Sequence, residues 1–349
     1  MAGRPTVTFL GFGEAESRAD DLTSTEEVYS MLERAGVKTL PKDLENMKKR
    51  FGIHARWDAG GQSSTDLSLN ACRRAIVAAR RNDSHFSPEK IRLIMHGTST
   101  PARTYAGAAC ILQDRLRIPG DACEVHEESA ACNSWMAALM SAYRIMLVEK
   151  WPYALVVAGE TIYSSNKIID RNLPLWGDGA GAVVLKYHEE APEKVGILGC
   201  RMVVDGSLAD LIVSSGSGTE ARADEKYGVD MGDRGPMVQV FCERKVPEVI
   251  GAFLKEKGLD VTHRTHLVPH NANLNMVNRI AAKIITPMYP NGIPASQVRT
   301  MLHNRGNTAA ASIPITLCNY RRLFHSGDVL ILVGFGAGMQ VSVMLYGCP

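Results

Sequence analysis

Two glycine-rich stretches, GDGAGAVVL at residues 177–185 and GFGAGMQVSVML at 334–345, share one form: a glycine-rich turn that leads into an apolar run. Apolar runs of this kind are typical of strands that are buried on both faces. Their recurrence in the middle and at the end of the chain suggests an internal duplication. We therefore predict two related halves, 1–190 and 191–349, which meet at the polar, proline-containing segment HEEAPEK (188–194).

Strand patterns and helix patterns alternate along most of the chain. Residues 66–81 and 134–150 place apolar side chains on one helical face. Short β-branched or aliphatic runs predict strands at 6–12, 91–97, 154–160, 181–187, 266–270, 329–335 and 340–346. This alternation favours an α/β fold. The segment from Ser214 to Gly235 is rich in Gly, Ser, Asp and Arg and predicts a long surface loop.

Composition limits the classes of partner and the compartment. The chain has 349 residues, 39 Lys and Arg against 37 Asp and Glu, and a formal net charge of +2, so no global field favours nucleic acid or an anionic membrane. The N-terminal segment lacks the pattern of a secretory signal, and the apolar runs are shorter than the roughly 20 residues of a membrane-spanning helix. The eight cysteines include no C-x-x-C pair, which indicates reduced thiols in the cytoplasm.

Cys132 is a candidate nucleophile. It lies in EVHEESAACNSWMAALM (124–140), between a short strand-like segment and a long apolar helix pattern. Unpaired amides and the dipole at a helix N-terminus stabilise a thiolate, so this position predicts a lowered thiol pKa. Taken alone, a cysteine is more often a buried structural residue, and partners are needed to favour catalysis.

His270 and Asn307 are the candidate partners. His270 follows an apolar strand pattern, at the kind of strand end where α/β folds place catalytic side chains. Asn307 lies in GNTAAAS (306–312), a turn before a predicted helix start. Together the three residues can supply a nucleophile, a proton carrier and an amide donor. A single strand-end histidine is structural about as often as it is functional.

With these motifs in register, the chain resembles ketoacyl synthase III of the thiolase superfamily over nearly its whole length. AAC at 130–132 is similar to the family's nucleophile motif, PHNAN at 269–273 to its histidine motif, and GNTAAAS at 306–312 to its asparagine motif. GDGAGAVVL, DGS at 205–207 and GFGAG at 334–338 match further segments in the same order. The resemblance implies a five-layered αβαβα thiolase-like fold and a homodimer.

The same resemblance implies a set of site residues. Backbone amides of Cys132 and of the turn Gly336, Ala337 and Gly338 would hold an oxyanion. Arg50 matches an arginine that contacts the coenzyme A nucleotide in relatives. Independently of the resemblance, Arg171 in DRNLPLWGDG (170–179) either contacts a phosphate or faces solvent. Trp135 and Asn271 stand where relatives have Phe and Gln in the pocket. Two further positions depart from the family pattern, since Asn46 replaces a stacking Trp and Asn275 replaces an Arg associated with carrier protein.

The implied reaction is a decarboxylative Claisen condensation. An acyl group would pass from coenzyme A or an acyl carrier protein to Cys132, and a malonyl-type thioester would then lose carbon dioxide to an enolate held by His270 and Asn307. The thioesters are substrates, and no permanently bound cofactor is implied. Asn307 favours condensation because an ionised Asp at that position would repel the enolate.

Three other interpretations fit parts of the sequence. Acyl transfer to a hydroxyl or amine without decarboxylation would use the same nucleophile, and a non-catalytic partner subunit would be expected to lose Cys132. A zinc site is suggested by His263, His266 and His270, but on a strand these positions do not share a face, and neighbouring Cys or carboxylate ligands are missing from the sequence. We therefore predict that the chain holds no metal.

Overall fold

The computed structural model describes residues 3–16, 21–216 and 224–349. In these ranges the strands are β1 (Arg4–Glu14), β2 (Leu22–Ser24), β3 (Ala55–Trp57), β4 (Ile91–Gly97), β5 (Glu124–Glu128), β6 (Tyr153–Glu160), β7 (Gly179–Ala191), β8 (Gly196–Val204), β9 (Val213–Ser215), β10 (Gly228–Asp230), β11 (Thr265–Pro269), β12 (Val329–Gly336) and β13 (Gln340–Gly347). The helices are α1 (Thr25–Arg34), α2 (Pro41–Lys49), α3 (Ser64–Asn82), α4 (Ala108–Arg115), α5 (Ser134–Glu149), α6 (Gly235–Lys257), α7 (Leu274–Ala282), α8 (Leu302–Arg305) and α9 (Ser312–Tyr320).

Two sheets dominate the molecule, and their pairing repeats. The first has the order β1-β7-β6-β4-β5 and the second β11-β12-β13-β8. In the first sheet β4 and β6 are parallel, β6 and β7 antiparallel, and β7 and β1 antiparallel. In the second sheet the pairs β11/β12, β12/β13 and β13/β8 have the same three senses. This repeat confirms that the fold consists of two related halves.

Helices occupy three layers around the sheets. α3 and α4 cover the outer face of the first sheet, α5 and α9 fill the space between the sheets, and α6 and α7 cover the outer face of the second. Along β12, Leu330 and Leu332 face the central helices while Ile331 and Val333 face the outer ones. Because both faces of this strand are buried, its sequence is continuously apolar. The five-layered αβαβα prediction is confirmed.

The predicted strands and helices coincide closely with the observed ones. The sequence patterns at 66–81 and 134–150 become α3 and α5, and the pattern at 266–270 becomes β11, which ends at Pro269. The strands of the first sheet lie within residues 4–191 and those of the second within 196–347. We retain the division of the chain into 1–190 and 191–349 as a proposal.

The predicted surface loop at 214–235 contains more structure than its composition indicated. β9 and β10 pair in antiparallel fashion across its base, and α6 begins at Gly235. Residues 217–223 of this loop lie outside the described part of the chain. Among the helices that the structure describes, none is both long enough and apolar enough to cross a membrane.

Candidate active site

Cys132 lies in a short 3-10 turn, Ala131–Asn133, that joins β5 to the start of α5. Ala131 has φ 50°, a left-handed conformation that costs a residue with a Cβ about 1 kcal/mol or more. The hairpin between β12 and β13 approaches the thiol closely, because a Cβ at Gly336 would lie 2.8 Å from the Cβ of Cys132. Glycine is therefore required at 336 for the two segments to meet.

The second half repeats this turn. Residues Ala309–Ala311 form a 3-10 turn at the start of α9, and Ala309, like Ala131, has a positive φ, at 42°. The first turn holds the thiol, and the second begins two residues after Asn307. The duplicated fold thus brings two strained helix starts together at one site.

His270 follows β11 and is almost fully buried, with 2% of its surface exposed. Its backbone N–H donates to the carbonyl of Val333 (2.7 Å), which anchors it to β12. The imidazole Nδ1 lies 2.9 Å from Ser312 Oγ. The ring packs edge-on against Phe335, with 5.1 Å between ring centroids. The position of the imidazole is therefore set by both β12 and α9.

Asn307 has a side-chain orientation that its own turn determines. Oδ1 accepts a hydrogen bond from the N–H of Ala309 (2.9 Å), and the backbone N–H of Asn307 donates to the carbonyl of Leu175 (2.8 Å). Because Oδ1 is engaged, the amide group Nδ2 is the part left to face the adjacent cavity. Within the described residues Nδ2 has no hydrogen-bond partner, so it is free to donate to a ligand.

One cavity of about 260 Å³ brings Cys132, His270 and Asn307 together with Gly336. The rest of its wall is mainly apolar and includes Phe51, Leu175, Trp176, Ile212, Met231, Val238 and Met276. Apolar walls with a few convergent polar groups are typical of small-molecule sites. The three residues that the sequence predicts to act together therefore line the same cavity.

The thiol and the imidazole are both neutral at neutral pH in this environment. Burial raises the pKa of Cys132 to about 12, and the negative charge of Glu160 acts in the same direction. Burial also lowers the pKa of His270 to about 3, opposed in part by a hydrogen bond with the backbone of Ala309. The helix start was expected to lower the pKa of Cys132, but burial of the side chain outweighs that effect. The thiol must therefore lose its proton during attack on the substrate.

Glu160 is a buried carboxylate beside the site that the sequence analysis did not identify. It ends β6, is fully buried, and accepts hydrogen bonds from the N–H and Oγ of Ser99 (both 2.9 Å) and from Thr100 Oγ1 (2.7 Å). It also accepts from the N–H of Ala310 (3.3 Å), so it braces the turn that follows Asn307. The signal for it was an acidic residue directly after the apolar run of β6.

The turn residues predicted to hold an oxyanion lie in the β12–β13 hairpin, beside the Cys132 thiol. Gly336 lines the cavity, and Ala337 and Gly338 form the turn between β12 and β13, with Gly338 at φ 74°. The hairpin therefore lies directly beside Cys132. Its role in holding an oxyanion stays a prediction.

Arg50 and Arg171 lie in a second pocket, of about 650 Å³, that adjoins the catalytic cavity. The two pockets share Phe51, Asn172, Gly235 and Pro236. In the described part of the chain Arg50 forms no ion pair, whereas an Nη atom of Arg171 lies 3.9 Å from an oxygen of Asp233. Arg50 and Arg171, which are distant in sequence, thus line one pocket beside the catalytic cavity.

The substrate contacts predicted for Trp135 and Asn271 need correction. Trp135 is fully buried in the layer between the sheets, because the first turn of α5 directs it into the core. Asn271 is 1% exposed, and its Nδ2 donates to the carbonyl of Pro269 (2.9 Å) while its Oδ1 accepts from the N–H of Met301 (2.7 Å). Neither residue lines the cavity that holds Cys132. Both support the site from behind.

Among the described residues, no group of three His, Cys, Asp or Glu side chains is arranged to hold a metal ion. The histidines considered for zinc have separate partners. His266 lies 3.3 Å from Asp328 Oδ2, and His270 contacts Ser312.

The αβαβα fold and the cavity with its partly buried thiol define an enzyme of the thiolase superfamily. Residues 127–206 match the family described as 3-oxoacyl-[acyl-carrier-protein (ACP)] synthase III, and residues 254–348 match the C-terminal region of the same family. The chain belongs to the 3-oxoacyl-[acyl-carrier-protein] synthase III family. This confirms the resemblance found in the sequence.

Individual relatives agree with this placement. The chain is 30% identical over 339 residues to a β-ketoacyl-[acyl-carrier-protein] synthase III of Clostridium perfringens, and the aligned region covers 95% of each protein. It is 33% identical over 313 residues to an acetoacetyl CoA synthase of a Streptomyces species, covering 87% of this chain and 90% of that one. The crystal structure of 3-oxoacyl-(acyl carrier protein) synthase III from Pseudomonas aeruginosa superposes with a TM-score of 0.83 at 26% identity, covering 99% and 98% of the two chains.

Proposed function

We propose that this protein is an acyltransferase that catalyses decarboxylative Claisen condensation of an acyl thioester with a malonyl-type thioester, in fatty acid or specialised-metabolite biosynthesis. The observation that carries this proposal is the convergence of Cys132, His270 and the free amide of Asn307 on one apolar cavity. Family membership supports the same reaction class.

In the first half-reaction the sulfur of Cys132 attacks the thioester carbonyl and the carrier leaves as a thiol, which takes up the proton that Cys132 loses. In this proposal, backbone amides of Cys132 and of the 336–338 turn hold the tetrahedral oxyanion. Preorganised donors of this kind contribute about 3 kcal/mol each to transition-state stabilisation. The apolar wall excludes water, which protects the acyl-enzyme from hydrolysis.

In the second half-reaction the malonyl-type thioester loses carbon dioxide, and the enolate that forms attacks the acyl carbon on Cys132. The enolate oxygen needs donors that carry no negative charge. A neutral His270 has one N–H to offer, and Asn307 has Nδ2, whose orientation is set by the bond from Ala309 to Oδ1. Donors that are oriented before substrate binds need little reorganisation during the reaction.

We propose that the substrates are thioesters of coenzyme A, of an acyl carrier protein, or of both. The pocket that contains Arg50 and Arg171 adjoins the catalytic cavity. A carrier whose phosphates bind in that pocket would extend its thioester arm into the cavity. We propose that the enzyme needs no permanently bound cofactor and acts in the cytoplasm.

Wild-type protein tests the proposed reaction directly. Intact mass after exposure to a panel of acyl-coenzyme A thioesters should show one added acyl group per chain. Addition of malonyl thioesters should then release carbon dioxide and discharge the enzyme. Transfer of the acyl group to an alcohol or amine, with no carbon dioxide from any malonyl thioester, would show that condensation is the wrong second half-reaction.

Arg50→Ala is expected to raise the KM for acyl-coenzyme A by about tenfold to a hundredfold. A charge-assisted phosphate contact is worth roughly 1.5 to 3 kcal/mol, and Arg50 has no ion pair within the described residues that would weaken it. The control is the acyl-pantetheine thioester, which lacks the nucleotide and should react equally with both proteins. Unchanged kinetics with acyl-coenzyme A would point to another carrier.

We also propose that the enzyme is a homodimer. β5 forms one edge of the first sheet, and among the described residues no strand pairs with its outer side. The nearby side chain of Tyr105 is 88% exposed. An open strand edge beside an exposed aromatic ring suits pairing with a second copy. Light scattering at micromolar concentration should give about twice the chain mass of 38.0 kDa, and a monomer would contradict the proposal.

A further inference from the structure

A groove of about 690 Å³ is lined by the end of β1, one face of α3 and the end of α9. Among the described residues, it shares no lining residue with the catalytic cavity or with the pocket of Arg50 and Arg171. β1 and β5 are the opposite edges of the first sheet, so the groove lies away from the homodimer contact that we propose at β5. It is therefore a separate cavity that the proposed reaction does not use.

The charged side chains of the groove are mainly arginines. Among the described residues, five guanidinium groups and two carboxylates line it, which leaves an excess of three positive charges; these residues are Arg73, Arg74, Arg81, Arg305, Arg321, Glu14 and Glu16. Arg73 and Arg81 are eight residues apart on α3 and so lie on one face of that helix. Arg321 follows directly after α9. The fold thus brings cations from distant segments of the chain to one groove.

The two carboxylates already have partners. Glu14 Oε1 accepts a hydrogen bond from Nε of Arg305 (2.8 Å), and its Oε2 accepts one from Nδ2 of Asn319 (2.6 Å). Glu16 Oε2 lies 3.2 Å from an Nη atom of Arg74. The negative charge within the groove is therefore used by two of its five arginines.

The other three arginines have no carboxylate partner in the described part of the chain. Arg73 and Arg81 are exposed and form neither an ion pair nor a side-chain hydrogen bond there, and Arg321 donates to the carbonyl oxygen of Cys318. A guanidinium group has five N–H donors in a planar fork that matches the oxygens of a phosphate group. A concave surface with charges of one sign also raises the local concentration of counter-ions. The groove therefore offers unused donors and positive charge to an anionic ligand.

We propose that this groove is a second ligand site, which binds an organic anion with two or more phosphate groups. Several separate guanidinium groups suit several phosphates better than one, and the volume is that of a small-molecule site. Val77, which is 46% exposed, and the half-buried ring of Phe12 supply apolar surface for the organic part of the ligand. The site does not depend on the condensation reaction.

Calorimetric titration of the full-length protein with ADP, AMP and inorganic pyrophosphate tests the site. The titrations are done at low ionic strength, because salt screens exposed charges. ADP should bind at least about tenfold more tightly than AMP, as one further charge-assisted phosphate contact supports. Pyrophosphate should bind more weakly than ADP, since it has no organic part to cover Phe12 and Val77. Equal binding of pyrophosphate and ADP would overturn the assignment of an organic ligand.

Two double variants locate the bound ADP. Arg81→Ser with Arg321→Ser removes two arginines that line the groove, whereas Arg80→Ser with Arg322→Ser removes their exposed chain neighbours, which do not line it. Each pair removes two positive charges from the same two segments. We expect the ADP affinity to fall at least about tenfold in the first double variant and to stay within about twofold of wild type in the second.

Equal weakening in both double variants would show a general effect of surface charge and would overturn the proposed site. Wild-type affinity in the first double variant, or no binding of ADP to the wild type at millimolar concentration, would overturn it as well. All four arginines are exposed, so both double variants should unfold at the wild-type temperature. Acylation of Cys132 is measured separately, so failure of the proposed function would be distinguished from failure of this site.

Discussion

Cys132→Ala is expected to show no increase in mass after exposure to acyl-coenzyme A thioesters that fully label the wild type. The reason is that covalent transfer needs a sulfur at the start of α5, beside the backbone amides of the β12–β13 hairpin. Removing it leaves no nucleophile at the point where an oxyanion can be stabilised. The measurement is intact mass, followed by peptide mapping of the labelled site.

Cys242 provides a matched control. It lines the same cavity, on α6, and burial raises the pKa of its thiol to about 12, as for Cys132. It lies within a helix, where the surrounding amides are already hydrogen-bonded and cannot hold an oxyanion. Cys242→Ala should therefore be acylated normally. Labelling of Cys132→Ala at Cys242, at the wild-type rate, would contradict the assignment of the nucleophile.

The fold could be predicted because its strands are buried on both faces. Continuous apolar runs such as 329–335 cannot be placed in a half-exposed sheet, and the glycine-rich turns before β7 and β13 marked the duplication. Cys132, His270 and Asn307 were predicted from their positions beside element ends and from the family motifs around them. Those features are local, so the sequence carries them directly.

The direction of individual side chains could not be predicted in the same way. Trp135 and Asn271 are close in sequence to catalytic positions, yet helix geometry turns the first into the core and long-range bonds to Met301 hold the second away from the cavity. The prediction of a lowered pKa for the Cys132 thiol was wrong for a similar reason. Burial of Cys132 depends on the hairpin at Gly336, which is more than 200 residues away in the chain.

Asn307→Asp is expected to slow release of carbon dioxide from a malonyl thioester by about a hundredfold or more, while acylation of Cys132 proceeds largely as in the wild type. The substitution preserves the oxygen that accepts from the Ala309 N–H, so the turn should keep its shape. It replaces Nδ2 by a second oxygen, which cannot donate to the enolate and repels it when ionised. Loss of one preorganised donor accounts for the magnitude.

Asn273→Asp is the control for added charge. Asn273 lines the same cavity, and its Oδ1 accepts from the N–H of Met276 (2.9 Å) as the N-cap of α7, a role that Asp fills equally well. It therefore introduces the same carboxylate into the same cavity without removing the donor at 307. If both variants lose carbon dioxide release equally, the effect is general electrostatics and Asn307 has no special role. If only Asn307→Asp loses it, with acyl-Cys132 accumulating, the amide of Asn307 stabilises the enolate.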